Sequence, residues 1–529
     1  MKTRYSLLTI CAVVMLFAAA CKKSESLSGV ADRLFRPVLR AALLAPDNSV
    51  DAQWQKIDGA VHYAVQLSRD TFKTVDATLT IDSNRYVFTG LKWSQAYQVQ
   101  VKAIAADTVK NSKYSYLGSI TTPKFPTIVT SPVLADVTES AIKLRWTNSG
   151  DAVTSIKVLK LDSSVVRTIT LTATDIANQY YDITGLSSST GYIVYLYSGT
   201  KIRGWNNYTT KAPLSGIIID LRTIDLTKRT TILADTIPLI PNGATVVLKR
   251  GATYNVPVAI ALSKSIKILS GSDLSVSTNA IINITGGAMY AITAASTIDY
   301  ISFESVTLKG VAATNYVFNI NAACNIGLIS YESCTIDTFR GLNRLQTAAV
   351  VVTNLSMNNS LITNLADYGI LTVSTVTVNR VDNITLTNST IYQCQKLFVS
   401  KSNSVSMTIT DNTFYATPLG GGSYYIDYNG VTISGVTLIK NNIFGVGLGT
   451  TATPAVYTVN GRRGTINETS SNNYSTSDFV LTTSTTAFGG TTAYSKLSTD
   501  LFTDPVNGNF KIKDSAYSGK STTGDPRWR

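Results

Sequence analysis

Two glutamates occupy equivalent places in two segments that echo each other. Glu304 stands in Ile301-Ser302-Phe303-Glu304-Ser305-Val306-Thr307-Leu308 and Glu332 in Ile329-Ser330-Tyr331-Glu332-Ser333-Cys334-Thr335-Ile336. If the segments are neighbouring strands, the two carboxylates stack about 4.8 Å apart. Carboxylates that close repel unless they share a divalent cation, a proton or a nearby positive group. Glu304 and Glu332 are therefore the candidate metal ligands, with Ca2+ as the cofactor they would hold. Lys309 and Asp337 follow at matching offsets and are expected to form a cross-strand ion pair. Arg340, Arg344, Arg380, Lys396 and Lys401 are the basic groups nearby, and Arg340, Arg380 and Lys401 are the candidate catalytic residues. A Lys or Arg base beside a cation that neutralises a carboxylate is what β-elimination from a uronate requires. Tyr424, Tyr425 and Trp528 are candidates for stacking on sugar rings. Histidine chemistry is excluded here, because the single His of the chain, His62, lies far upstream in strand-like sequence.

The elements that must position these groups form a longer series. Segments containing Leu355–Ile362, Ile384–Ile391, Met407–Phe414 and Leu438–Phe444 continue the echo. Their turn residues run Ser305, Ser333, Ser360, Ser389, Asn412 and Asn442, at spacings of 28, 27, 29, 23 and 30. A period in the twenties with strand-length apolar pieces marks a solenoid, whose units bury their faces only by stacking. Residues 213–529 are expected to form this stack with a C-terminal cap. The alternation of strand, Asn/Ser turn and strand resembles the right-handed parallel β-helix of the pectate-lyase-like superfamily. The resemblance implies rungs of three short strands, stacked Asn or Ser side chains at the turns, and an outer groove where acidic polysaccharides are bound, cleaved or de-esterified. The Asn-x-Ser/Thr triplets then read as turn ladders. The Gly-His-Gly motif of polygalacturonases and the paired-aspartate motifs of pectin methylesterases are both missing from residues 213–529.

Two further units precede the stack. Val50-Asp51-Ala52-Gln53-Trp54, Gly59–Leu67, Tyr86-Val87-Phe88-Thr89-Gly90-Leu91 and Ala96–Ala103 alternate with period two, which would bring Trp54, Tyr63, Leu91 and Tyr97 into one core. The pattern returns as Ala141–Trp146, Tyr181–Leu186 and Gly191–Tyr197. A Trp strand, then Gly-Leu before Tyr-x-Val-x-Val, resembles the fibronectin type III domain, which implies sandwiches over residues 37–122 and 123–212. In exported proteins such domains usually space or present other modules.

The chain opens with Lys2 and Arg4, an apolar run Leu7–Ala20, and small residues Ala18-Ala19-Ala20 before Cys21. That order reads as a secretory signal over residues 1–20, and the run is shorter than the roughly 20 residues a membrane span needs. The segment Leu16–Cys21 resembles the bacterial lipobox, which implies lipidation at Cys21, a membrane partner through that anchor, and a tether over residues 21–36. Cys324, Cys334 and Cys394 are an odd number without CxxC spacing, so buried small hydrophobes are expected. The net charge of +13 is uneven: residues 1–212 hold 24 Lys+Arg against 15 Asp+Glu, and residues 213–529 hold 22 against 18. No basic run interleaved with aromatics points to nucleic acid. The end of the chain, Asp504–Ile512 and Gly524–Trp528, resembles that of Bacteroidetes lipoproteins pairing fibronectin type III domains with a β-helix. The expected fold class is all-β, two fibronectin type III-like sandwiches followed by a right-handed parallel β-helix. The expected function is a cell-envelope lipoprotein, at the outer membrane, that binds a polysaccharide. The rivals are a polysaccharide lyase and a structural adhesin.

Overall fold

The computed structural model describes residues 33–529 except 94, 124–126, 376–377, 450–456 and 483–486. The signal segment, Cys21 and most of the tether lie outside the described residues. In the first sandwich, strand Val50–Gln53 pairs antiparallel with Arg85–Phe88. It faces a four-stranded sheet of Ala77–Ile81, Ala60–Ser68, Ala96–Ala105 and Ser115–Thr121. Trp54, Tyr63 and Tyr97 are buried between the sheets, and Leu91 packs against them. Trp54 and Tyr63 meet edge to face with ring centroids 5.5 Å apart, the arrangement their quadrupoles favour. The second sandwich repeats the plan, with Ile142–Arg145 and Tyr180–Ile183 opposite a sheet built around Gly191–Ser198. Each copy has a tyrosine whose hydroxyl accepts a backbone N–H from the preceding loop. These are Tyr97 with Lys92 at 3.0 Å and Tyr192 with Ser187 at 2.9 Å, the corner device of this sandwich class. His62 is a half-exposed strand residue whose Nδ1 lies 2.5 Å from Asp82 Oδ1.

From Ile218–Asp220 onward the strands pair in parallel and build a β-solenoid of about nine turns. Three sheets run along it. The first carries the echoing segments in register, and its inward columns are apolar: Ile301, Ile329, Leu355, Ile384 and Met407 stack, as do Phe303, Tyr331, Met357, Leu386 and Ile409. Ser302, Ser330, Ser356 and Thr385 alternate outward, as the two-residue repeat of a strand demands. The short helix Ile232–Thr236 brings Leu233 onto the same core at its first turns.

The turn series differs from the sequence reading by one residue. Glu332 pairs with Asn358, so Ser333 aligns with Asn359, and Ser360 aligns with Cys334. The column beside the first sheet therefore holds Ser305, Ser333, Asn359, Asn388, Asp411, Asn441 and Asn472, every one with φ between 49° and 59°. Asn and Asp tolerate that left-handed conformation best among residues with a Cβ. The next column inward, Ser360, Ser389, Asn412, Asn442 and Asn473, is buried and forms the ladder. Each of its members from Ser360 to Asn442 donates its backbone N–H to the side chain one rung on, at 3.0 Å. The slip arises because two polar columns run side by side, and a spacing alone does not say which residue turns inward.

Residues after the last rungs fold back. Helix Ser498–Leu501 and the hairpin of Phe502–Asp504 with Asn509–Ile512 bury Leu501, Phe502, Phe510 and Ile512 against Tyr415 and Ile443. The tail then reaches across earlier rungs. Trp528 Nε1 donates to Thr390 Oγ1 at 2.8 Å, and Thr390 donates to Asp525 Oδ2 at 2.7 Å. Burial raises the Asp525 carboxyl above its ordinary value, and Arg527 pulls it back only in part. A raised folded-state value means that this group favours folding at low pH, and that contribution is lost as pH rises through the folded value. Asp525→Asn should flatten this dependence, so its melting temperature relative to the parent protein should rise between pH 4 and pH 7 in a thermal scan.

Cys324, Cys334 and Cys394 are free and buried, as expected. Burial pushes their thiols up to about 11, about 12 and about 12 respectively, so almost no thiolate exists at neutral pH. Iodoacetamide at pH 8 should leave all three unlabelled in the folded protein and label them in guanidinium, as read by peptide mapping.

Candidate functional site

The glutamate pair forms as the echo implies, with Glu304 and Glu332 opposite each other in adjacent rungs. Each carboxylate has a protein partner. Lys267 Nζ lies 2.5 Å from Glu304 Oε2, and Glu332 accepts from Asn358 Nδ2 at 2.9 and 3.1 Å and from Ser333 Oγ at 3.1 Å. The repulsion is relieved by a lysine and an amide, and among the described residues no cluster of three metal-ligating side chains occurs. Lys309 and Asp337 are register neighbours, but Asp337 accepts from Thr338 and Asn364 at 2.9 and 2.8 Å instead of forming the expected ion pair.

The basic candidates separate. Arg380 opens a strand of the first sheet and is paired with Asp382 at 2.7 Å. Lys401 is exposed just beyond the third-sheet strand Phe398–Ser400. Arg340, Arg344 and Lys396, by contrast, come together at the corner of the second and third sheets. The strands Tyr316–Ile320, Thr335–Leu345 and Leu361–Val373 bring Tyr316, Gly341 and Gly369 into one column and Asn319, Arg344 and Thr372 into another three residues further along. A register shift between Phe339 and Gly341 turns Asp367 and Tyr368 outward beside them.

Arg340 makes a two-pronged ion pair with Asp367, at 2.9 and 3.0 Å. The Arg340 hydrogen bonds hold the Asp367 carboxyl below the ordinary carboxylate range, with Lys396 adding to the pull. The same pair raises the Arg340 guanidinium, the wrong direction for a group that must lose a proton to act as a base. Two guanidinium groups stack on one ring: Arg344 lies 4.0 Å and Arg340 4.8 Å from the Tyr368 centroid. Tyr316 closes the cluster, its ring 5.9 Å from that of Tyr368. Gly341 makes this possible, because a Cβ there would lie 2.5 Å from Tyr368 Cβ and 3.4 Å from Tyr316 Cε1. Arg344 differs from Arg340, Arg380 and Arg463 in having no carboxylate partner among the described residues. Further along the third sheet, Arg463 stacks 4.5 Å from the Tyr424 centroid and pairs with Asp427 at 2.5 Å. Of the sequence candidates for sugar stacking, Tyr425 is buried in an aromatic core with Phe414 and Phe444, and Trp528 is tied to Thr390. Tyr424 alone of the three sits on the outer face of this sheet.

Tyr316, Tyr368 and Asp367 escaped the sequence reading. The signal available was the run Asp367-Tyr368-Gly369 one rung after Arg340-Gly341, visible only once the bulge in the register is known.

The architecture defines an all-β protein of two fibronectin type III-like sandwiches and a parallel β-helix. Residues 407–528, the last rungs with the returning tail, match a domain of unknown function, DUF5123. No curated protein matches the sequence. Among solved structures, the FN1–FN3 domains of chicken CNTN1 align at 16% identity over 34% of this chain and 69% of that one, with a TM-score of 0.15. A two-domain fibronectin type III segment from chicken tenascin aligns at 15% identity over 33% of this chain and 99% of that one, with a TM-score of 0.19. The sandwich assignment rests on the strand order, cores and tyrosine corners described above.

Proposed function

We propose that this protein is a cell-envelope lipoprotein, anchored through Cys21, whose β-helix binds an acidic polysaccharide on its third-sheet face. The observation that carries the reading is Arg344: a guanidinium 4.0 Å over the Tyr368 ring, beside a neutralised Arg340–Asp367 pair, with no carboxylate of its own among the described residues. A stacked guanidinium presents a rigid pair of N–H donors suited to a carboxylate, and little side-chain entropy remains to be lost on binding. Tyr424 and Arg463 extend the same chemistry along the sheet, perpendicular to the strands, which suits a linear chain lying across the rungs. The sandwiches serve as the spacer between anchor and solenoid.

Affinity electrophoresis of the full chain in gels containing a uronate polysaccharide tests the reading. Retardation by polyuronate, and none by a neutral glucan, is the expected result. Arg344→Ala should weaken the interaction at least tenfold while changing stability by less than about 1 kcal/mol, because the half-buried side chain has no ion pair to lose. Equal migration of parent and variant in every gel rejects the site. Absorbance of unsaturated uronate in the same mixtures should stay flat, and a rise would replace binding by β-elimination.

A further inference from the structure

A second place in the molecule combines a cavity with a buried arginine that touches no carboxylate. A cleft of about 630 Å3 lies between residues 131–135 of the second sandwich, the corner of the first and second solenoid sheets, and the end of the tail. Three arginines, Arg250, Arg527 and Arg529, and no acidic residue, line it. Arg527 and Arg529 have counter-ions on the tail side, Asp525 at 3.5 Å and Asp411 at 2.6 Å. Arg250 has none. It is only 7% exposed, its Nε donates to the Val276 carbonyl at 3.0 Å, and its terminal nitrogens share Asn279 Oδ1 at 3.1 and 3.3 Å. Those acceptors fix the plane of the guanidinium without supplying negative charge, and burial lowers its affinity for the proton. A buried cation without a counter-charge in contact is costly, and proteins rarely keep one unless an anion completes it.

We propose that this cleft binds a sugar acid, its carboxylate on Arg250 and its ring against the loop of the second sandwich. The volume falls within the range of small-molecule sites. Hydroxyl and amide groups from Ser131, Ser277 and Asn359 suit sugar hydroxyls, and Val133 and Leu134 offer an apolar wall for a ring face. The site shares no residue with the Tyr368 cluster and lies on a different edge of the solenoid, so it stands whether or not the third-sheet face binds polymer. It also places a ligand across the joint between sandwich and solenoid, where Ser272 Oγ already donates to Glu139 Oε1 at 2.9 Å.

Titration calorimetry of the full chain with a digalacturonate, a neutral galactose disaccharide and inorganic sulfate tests it. Binding of the sugar acid at least tenfold tighter than either control is expected. Arg250→Gln should weaken it at least tenfold, and so should Leu134→Trp, which fills the cleft from an exposed loop position without touching any arginine. All titrations are made in the Arg344→Ala background, so that any heat from the third-sheet face is removed and only the cleft is read. The proposal is overturned if the sugar acid does not bind, if sulfate binds as tightly, if the neutral sugar binds equally, or if Leu134→Trp has no effect.

Discussion

Asn442→Ala is expected to lower stability by about 3–5 kcal/mol, the larger of two effects that follow from how the rungs are tied together. Asn442 is fully buried. Its amide nitrogen donates to the Ile409 carbonyl at 2.8 Å and to Asn473 Oδ1 at 3.0 Å. Its oxygen accepts the Asn412 backbone N–H at 3.0 Å and the Asn412 amide at 3.1 Å. Alanine removes all of these and strands a backbone donor and a carbonyl in an apolar interior, at about 1–3 kcal/mol for each unsatisfied group. Because each rung leans on its neighbours, the loss should spread to the adjacent turns. Hydrogen exchange should show faster opening of amides between residues 407 and 475. Asn472→Gly, one column outward, provides the contrast. It gives up one exposed hydrogen bond to Asn441 but relieves a φ of 52°, so the net change should stay within about 1 kcal/mol. Equal exchange in the two variants would show that the buried ladder does not hold the rungs together.

Gly369→Ala should damage fold and binding together. Gly369 has a φ of 57°, and a Cβ there would lie 2.3 Å from the Lys396 carbonyl oxygen. The obstacle is backbone of the next rung, which cannot swing aside. The left-handed conformation adds roughly 1–2 kcal/mol for a residue with a Cβ, so a total of at least about 3 kcal/mol is expected once the rung is forced to shift. Gly369 follows Tyr368 directly, and moving it moves the ring on which Arg344 rests. The expected outcome is a lower melting temperature and loss of polyuronate retardation, whereas Arg344→Ala loses retardation alone. A Gly369→Ala protein with parental stability would mean that the close approach of the rungs is not limiting.

Much of the architecture is written in local pattern. Period-two alternation marks the strands around Trp54, Tyr63 and Tyr97, and Gly-Leu before a Tyr strand marks the sandwich corner, because each is set by neighbours a few residues apart. The stacking of Glu304 on Glu332 is legible for the same reason: segments of matching pattern fold into matching rungs. The solenoid series was legible only to within one residue, since Ser360 and Asn359 are both plausible turn residues and only the pairing of Glu332 with Asn358 decides between them. What surrounds the glutamates was not legible at all. Lys267 and Asn358 reach them from adjacent rungs, a neighbour relation that depends on rung length rather than on any motif.

The Arg–Tyr cluster shows where sequence stops. The chain names Arg340, Arg344 and Lys396 as basic residues, but their convergence with Tyr316 and Tyr368 requires a bulge that shifts the register by two residues, from Phe339 facing Leu365 to Gly341 facing Gly369. The Arg250 cleft is further still from local pattern, since its walls come from the second sandwich, the early rungs and the last residues of the tail. Sequence determined the elements because backbone geometry and burial act over a few residues. Tertiary structure decided which cations keep their counter-ions, because that depends on contacts between residues as far apart as Asp411 and Arg529.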